Sequence, residues 1–212
     1  MTVGPRALAA TLLQRGWERA SRLGTVHAGS RRARAFGRFG EGSFIAFPIT
    51  VLYGERWIWI GEGTRIGPNL SLSVGMTPGQ VPVSDPVVRI GDRCVIGRGS
   101  GIVAHLSVEI GDDVWTGHYV YITDQNHGYE DVTRPIGGQV QPERPVSIGA
   151  GSWLGHGVVV VPGATIGRHV VVAANSVVAG ELPDNCVAAG NPARVIRRYV
   201  EGEGWVRDGG ER

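Results

Sequence analysis

Residues 148–178 read IGAGSWLGHGVVVVPGATIGRHVVVAANSVV. Large aliphatic side chains stand at Ile148, Leu154, Val160, Ile166, Val172 and Val178, six residues apart without a slip. Gly149, Gly155 and Gly167 follow three of them. Four residues after successive aliphatics come Ser152, Val158, Ala164, Val170 and Ser176, all small or β-branched. An α-helix repeats a face near 3.6 residues and a simple strand near 2, so neither explains a strict six. A chain that makes one short strand per hexad and then turns a corner does explain it. Three hexads close a triangular coil of 18 residues, with one aliphatic per strand pointing inward. Stacked coils then satisfy one another's backbone N–H and C=O groups in long parallel sheets.

The same register runs outward from that stretch. It includes Ile60, Ile66 and Leu72, then Ile90, Ile96 and Ile102, then Ile110, Thr116 and Ile122, with only Thr116 off pattern. Together these make fifteen hexads, enough for five coils. Two long interruptions lack the period: residues 74–89, VGMTPGQVPVSDPVVR, and residues 128–147. A third, around His105 to Ser107, is only two residues long. Excursions from a rigid solenoid leave through its corners and commonly build binding faces. Nearer the N-terminus, Leu8, Ala9, Leu12, Leu13, Trp17 and Ala20 share one face of a helix over roughly 5–22. That helix is expected to pack against the coil or cover its open end. Residues 43–59 suggest an irregular first rung, and VIRRYVEGEGW (195–205) a closing strand or a short helix. The expected organisation is a helix and first rung over 1–55, a repeat domain over 56–198 with a protruding loop at 128–147, and a tail over 199–212.

Composition bounds the function. The net charge of +2 makes no global case for a nucleic-acid partner, and the basic run Arg31, Arg32, Arg34 and Arg38 is local. The 34 glycines lack a Gly-X-Y period, so this is not collagen. Two cysteines, Cys94 and Cys186, with no CxxC pair, argue against a disulfide scaffold or a zinc knuckle. The N-terminal residues lack the pattern of a signal peptide, and no apolar run approaches the roughly 18 to 20 residues needed to span a bilayer. A cytoplasmic protein without a transmembrane segment is expected.

Three segments carry a resemblance beyond the bare hexads: IGDDVWTGHYVYITDQNHGYEDV (110–132), IGAGSWLGHGVVVVPGATIG (148–167) and ELPDNCVAAGNPARVIR (181–197). With the repeat, they resemble the hexapeptide-repeat acyltransferase superfamily over about residues 56–198. Within it the chain resembles sugar and polysaccharide O-acetyltransferases of the galactoside and maltose type. The resemblance implies an all-β fold, a left-handed parallel β-helix. It also implies a homotrimer with sites between subunits, acetyl-CoA or another acyl-CoA as co-substrate, a carbohydrate or glycolipid acceptor, and no catalytic metal.

Moving an acetyl group from a thioester to a hydroxyl needs a base, a donor for the tetrahedral oxyanion and alignment of the two substrates. His127 is the candidate base: it ends the 110–127 coil just before the long excursion, and its placement matches the catalytic histidine of galactoside-type enzymes. His105, beside the short break, is the alternative base. His118 and His156 share an offset in their hexads and read as a structural stack. At His156 the resemblance implies that the backbone amide donates to the thioester oxyanion, whatever the side chain. Trp153 matches the tryptophan beside the cofactor tunnel, Ala174 a small residue on the cofactor wall, and Arg194 a position that can contact the nucleotide end of CoA. Trp115 is expected on the same face as Trp153. A departure follows Val178, where AGEL replaces a lysine found in several relatives and puts one phosphate contact in doubt. The spacing of His105, His118 and His127 does not resemble the triad of β-helical carbonic anhydrases. Tyr129, Glu130, Asp131, Arg134, Gln139 and Gln141 are candidate acceptor contacts, and Asp124 or Asn126 could orient the His127 ring. Two other readings stay open: an N-acyltransferase acting on an amino sugar or amino acid, and a trimeric β-helix protein without turnover.

Overall fold

The computed structural model describes residues 5–140 and 142–208. The hexads form short strands that alternate among three faces of a left-handed prism, in sheets of ten, six and seven strands. Within the coil the pairing is parallel, and the inward residues stack in register. One column runs Ile60, Ile90, Ile110, Ile148, Ile166 and Leu182. Another, on the six-stranded sheet, runs Leu52, Leu72, Ile102, Ile122, Val160 and Val178. Ile60, Ile90, Ile110, Leu72, Ile102 and Ile122 are all essentially inaccessible to solvent. Each contributes about 1.5–3 kcal/mol through burial.

The small residue four places after an aliphatic has a specific task. Ser152 donates its hydroxyl to the Gly167 carbonyl (3.0 Å) and accepts from the Val170 amide (3.0 Å), tying one corner to the next coil. Thr116, the off-pattern residue, is also satisfied: its hydroxyl accepts from Gly97 N–H at 2.9 Å and donates to the Gly117 carbonyl at 3.1 Å. A core threonine is therefore tolerated, because no polar group is left unpaired.

The coil begins before the hexads become legible. Strands Arg38–Phe39, Phe44–Ile45 and Ile49–Tyr53 form a complete turn that pairs in parallel with the next, so the solenoid extends upstream of residue 56. At the other end, Cys186–Gly190, Ala193–Val200 and Gly204–Arg207 continue the ten-stranded sheet as an antiparallel meander, which settles the C-terminal segment as strand.

The N-terminal helix, Pro5–Gly24, departs from expectation. Residues 6–20 are exposed throughout, and the helix neither packs along the coil nor covers its end. Its contact is at its C-terminal part, where Trp17 meets Phe47 with ring centroids 6.0 Å apart. The reason is that the end of the coil is already closed: Val26, Ala33 and Phe36 from the following segment are buried there as part of the core.

Candidate active site

All three interruptions open at one corner. They leave the six-stranded sheet after Val74, Ala104 and Thr123 and re-enter the seven-stranded sheet at Val88, Val108 and Val146. The long excursion therefore spans 124–145. Asp124 anchors its base. That carboxylate is fully buried and accepts the backbone N–H groups of His105 (2.9 Å), Leu106 (2.8 Å) and Ser107 (2.7 Å) from the coil below. Its carbonyl accepts from the Arg144 amide at 2.9 Å where the excursion returns. Asp124 is thus fully engaged and does not orient the His127 ring, as its sequence proximity suggested. Asn126 uses Oδ1 to accept the His127 backbone N–H (2.9 Å).

His127 lies on the rising arm of the excursion, pairs through its backbone with Val140, and exposes its imidazole. The carboxylate partner at this corner belongs to the other histidine. His105 Nδ1 is 3.2 Å from Glu143 Oε1, with the His105 side chain only 13% exposed. Glu143 was not singled out from the sequence. It stands 38 residues from His105, and only the return of the excursion brings the two together.

The loop candidates separate into builders and exposed groups. Gln139, 8% exposed, donates to the carbonyls of Asp131 (2.9 Å) and Arg134 (3.0 Å) and accepts from the Asp131 amide (3.1 Å). It organises the loop and is not free to meet an acceptor. Asp131 is held by Thr133, whose hydroxyl and amide keep its carboxyl below the usual range. Arg134 donates to the Gly138 carbonyl at 2.8 Å. Tyr129 is 66% exposed and Glu130 is exposed beside it. Gln141 lies outside the described residues.

The residues expected at the cofactor lie elsewhere. Trp115 and Trp153 are direct partners in the ten-stranded sheet, each 53% exposed, as the register anticipated. The chain then turns through Gly155, His156 and Gly157 into the six-stranded sheet. Gly157 has φ +67°, and Asn175 takes the matching conformation (φ +59°) one coil further on. Here the backbones of adjacent coils approach closely. A Cβ on Gly117 would lie 2.6 Å from the His156 nitrogen, and one on Gly155 would lie 2.6 Å from the Ala174 nitrogen. Glycine therefore seats the His156 amide at this corner. His118, Tyr119 and His156 cluster edge to face, with Tyr119 and His156 centroids 5.5 Å apart. Arg194 is exposed on the strand Ala193–Val200, three strands beyond Trp153 in the same sheet. At strand spacings near 4.8 Å that is about 14 Å away. Arg198, four residues further on, is taken up by Asp208 at 2.8 Å.

One chain thus divides the expected chemistry between two corners. His127 and the excursion rise from one edge of the six-stranded sheet, and Trp153, His156 and Ala174 line the opposite edge or the face beside it. The intervening strand and its corners span about 15–20 Å at 3.3 Å per residue. His105, His118 and His127 are divided in the same way. Among the described residues no three His, Cys, Asp or Glu side chains converge as a metal site. No helix among them is long and apolar enough to cross a membrane.

Comparison with known proteins bears on the family and the fold. Residues 145–180 match the family model "Bacterial transferase hexapeptide (six repeats)", and residues 87–123 match "Hexapeptide repeat of succinyl-transferase". A probable acetyltransferase of Mycobacterium tuberculosis is 42% identical over 67% of this chain and 42% of its own length. The galactoside O-acetyltransferase of Lactococcus lactis is 32% identical over 84% of this chain and 71% of its own. The chain spans about half the length of the first curated relatives it matches (42%, 51% and 57%). Among solved structures, an N-acyltransferase from Bacillus cereus shares the fold, with a TM-score of 0.66 and 20% identity over 81% of this chain and 90% of that one. A maltose O-acetyltransferase from Clostridium difficile gives 0.51 and 29% over 80% and 73%. These relatives extend across several branches and do not single out the galactoside and maltose type.

Proposed function

This chain belongs to the hexapeptide-repeat acyltransferase superfamily, and we propose that it transfers an acyl group from acyl-CoA to a sugar-bearing acceptor, in a homotrimer whose sites lie between subunits. The observation that carries this reading is the division of the site. The candidate base stands at one edge of the six-stranded sheet and the candidate cofactor wall at the other, so a neighbour must bring its own edge across. A closed threefold ring supplies three equivalent junctions of that kind.

In the proposed reaction the pantetheine arm of acetyl-CoA lies along Trp153 and Ala174, with Arg194 toward the nucleotide. The His127 imidazole of an adjoining subunit takes the acceptor's proton as the acceptor attacks the thioester carbonyl. The tetrahedral oxyanion is met by the His156 amide, a donor held in place by the backbone rather than by a side chain. Collapse expels the CoA thiolate, which recovers the proton from the imidazolium, so charge and protons balance. His105, tied to Glu143, stands at the same corner.

The sequence favours a hydroxyl acceptor and leaves an amine open. The L. lactis relative is named for O-transfer, whereas the fold is shared with an N-acyltransferase, so the proposal is made for a sugar acceptor carrying either nucleophile. A reaction that draws on acyl-CoA belongs in the cytoplasm, where that thioester is made. The test is free-thiol release from acetyl-CoA with a glycoside and with its matched amino sugar. Acceptor-dependent release with one of the pair is expected. Release no faster than thioester hydrolysis with both, from folded protein that binds CoA, counts against the reading.

A further inference from the structure

The N-terminal helix presents an apolar face that, apart from the Trp17 contact with Phe47, no described residue covers. Leu8, Leu12, Leu13 and Trp17 are 56%, 61%, 76% and 58% exposed, and Leu23 is 78% exposed near the helix end. At 100° per residue these side chains, with Ala9, Gly16 and Ala20, occupy one half of the helix surface. Arg15 and Arg22 border that half on one side, Arg19 and Arg6 stand just inside its two edges beside Leu8 and Trp17, and Gln14, Glu18 and Ser21 lie opposite. Cations at the margins of an apolar stripe suit a polar–apolar boundary, where long side chains reach outward while their stems stay in apolar surroundings.

The charge of the chain is polarised to match. Residues 1–40 hold eight arginines and one glutamate, a net +7. Residues 41–212 hold thirteen arginines and eighteen acidic residues, a net −5, and the two sum to +2. Arg31 and Arg34 are exposed just beyond the helix. Arg6, Arg15, Arg19, Arg22, Arg31 and Arg34 form no ion pair among the described residues.

We propose that this helix lies on the surface of an anionic phospholipid bilayer, its leucines and Trp17 in the acyl boundary and its flanking arginines at the phosphates. The charge pattern selects this occupant. Packing the same face against the helix of a second copy would bring like-charged margins together. A nucleic acid would offer phosphates but no apolar layer for Leu13 and Trp17. The proposal is independent of acyl transfer and can fail without it.

The test is co-sedimentation of the full chain with vesicles of phosphatidylcholine alone or with about one-third phosphatidylglycerol, at low and high salt. Binding at least about tenfold stronger to the anionic vesicles is expected, weakening as salt screens the arginines. A Leu12→Glu/Leu13→Glu double variant should lose about tenfold or more of that binding while keeping the circular dichroism of the coil. Three results would overturn the proposal: protein left in the supernatant with anionic vesicles at low salt, undiminished binding by the double variant, or a fall in that variant's solution mass without vesicles. The last would assign the face to a second copy.

Discussion

The corner where the coil is interrupted holds two histidines, and their environments separate their roles. His105 is enclosed and tied to Glu143, while His127 stands free on the excursion, where an incoming acceptor can reach it. Asp124 supports both, since the three amides it accepts set the path of 105–107 and its own backbone opens the excursion. On the proposed mechanism, His127→Asn keeps size and polarity but cannot take and return a proton. Turnover should fall about 10²- to 10⁴-fold, equivalent to roughly 3–5 kcal/mol in the transition state. Circular dichroism and calorimetric CoA binding should stay near wild type. Protonating the imidazole removes the base, so wild-type kcat/KM should decline toward acid pH, and that limb should disappear in the variant. A folded, CoA-binding His127→Asn protein with unreduced transfer and the same acid limb would move the role to His105.

At the scale of single strands, the coil depends on small residues where successive backbones meet. Its strands are mostly two or three residues long and have little stability apart from their neighbours, so a shift in one coil passes to the next. Gly117 bears most directly on the candidate site, because its missing side chain leaves room for the His156 amide. Gly117→Ala would place a Cβ 2.6 Å from that nitrogen, against backbone that cannot rotate away. Overpacking of this kind costs about 1–3 kcal/mol. The variant should unfold at lower denaturant concentration and, on the proposed mechanism, lose kcat more than KM as the oxyanion donor is displaced. A Gly117→Ala protein with unchanged stability and kcat would mean that the corner can open freely, contrary to the packing described. The excursions carry the opposite lesson. They can lengthen without disturbing the stack, because they leave and return at one corner, which for 105–107 and 124–145 the Asp124 bonds close.

For the whole molecule, the proposed function makes assembly part of catalysis, because the two candidate half-sites are separated within one chain. Sedimentation equilibrium should give about three times the 22.5 kDa chain mass. A sharper measurement mixes two inactive proteins, His127→Asn and a Trp153→Ala/Arg194→Ala variant impaired at the cofactor wall. After subunit exchange, some junctions would join an intact His127 from one parent to an intact wall from the other, and activity should return. Each parent alone should stay inactive. Mixed trimers with no activity, despite proven exchange, would place both halves of the site within one chain.

The sequence by itself determined the triangular coil, its inward columns and the corner from which the long loop rises. Each follows from a local rule repeated every six residues, so the period is visible without knowing what any coil touches. The C-terminal meander and the turn over 38–53 were less legible, because they keep the packing of the coil but not its hexads. Only the tertiary structure decided that Asp124 serves the backbone 17–19 residues before it, that Glu143 meets His105, and that Gln139 is spent inside its own loop. Those pairings depend on where an excursion without period returns. Only the tertiary structure, too, left the N-terminal helix uncovered. Its apolar stripe was readable from spacing alone, but what a stripe faces depends on which other segment reaches the end of the coil first, and here residues 26–36 fill that place.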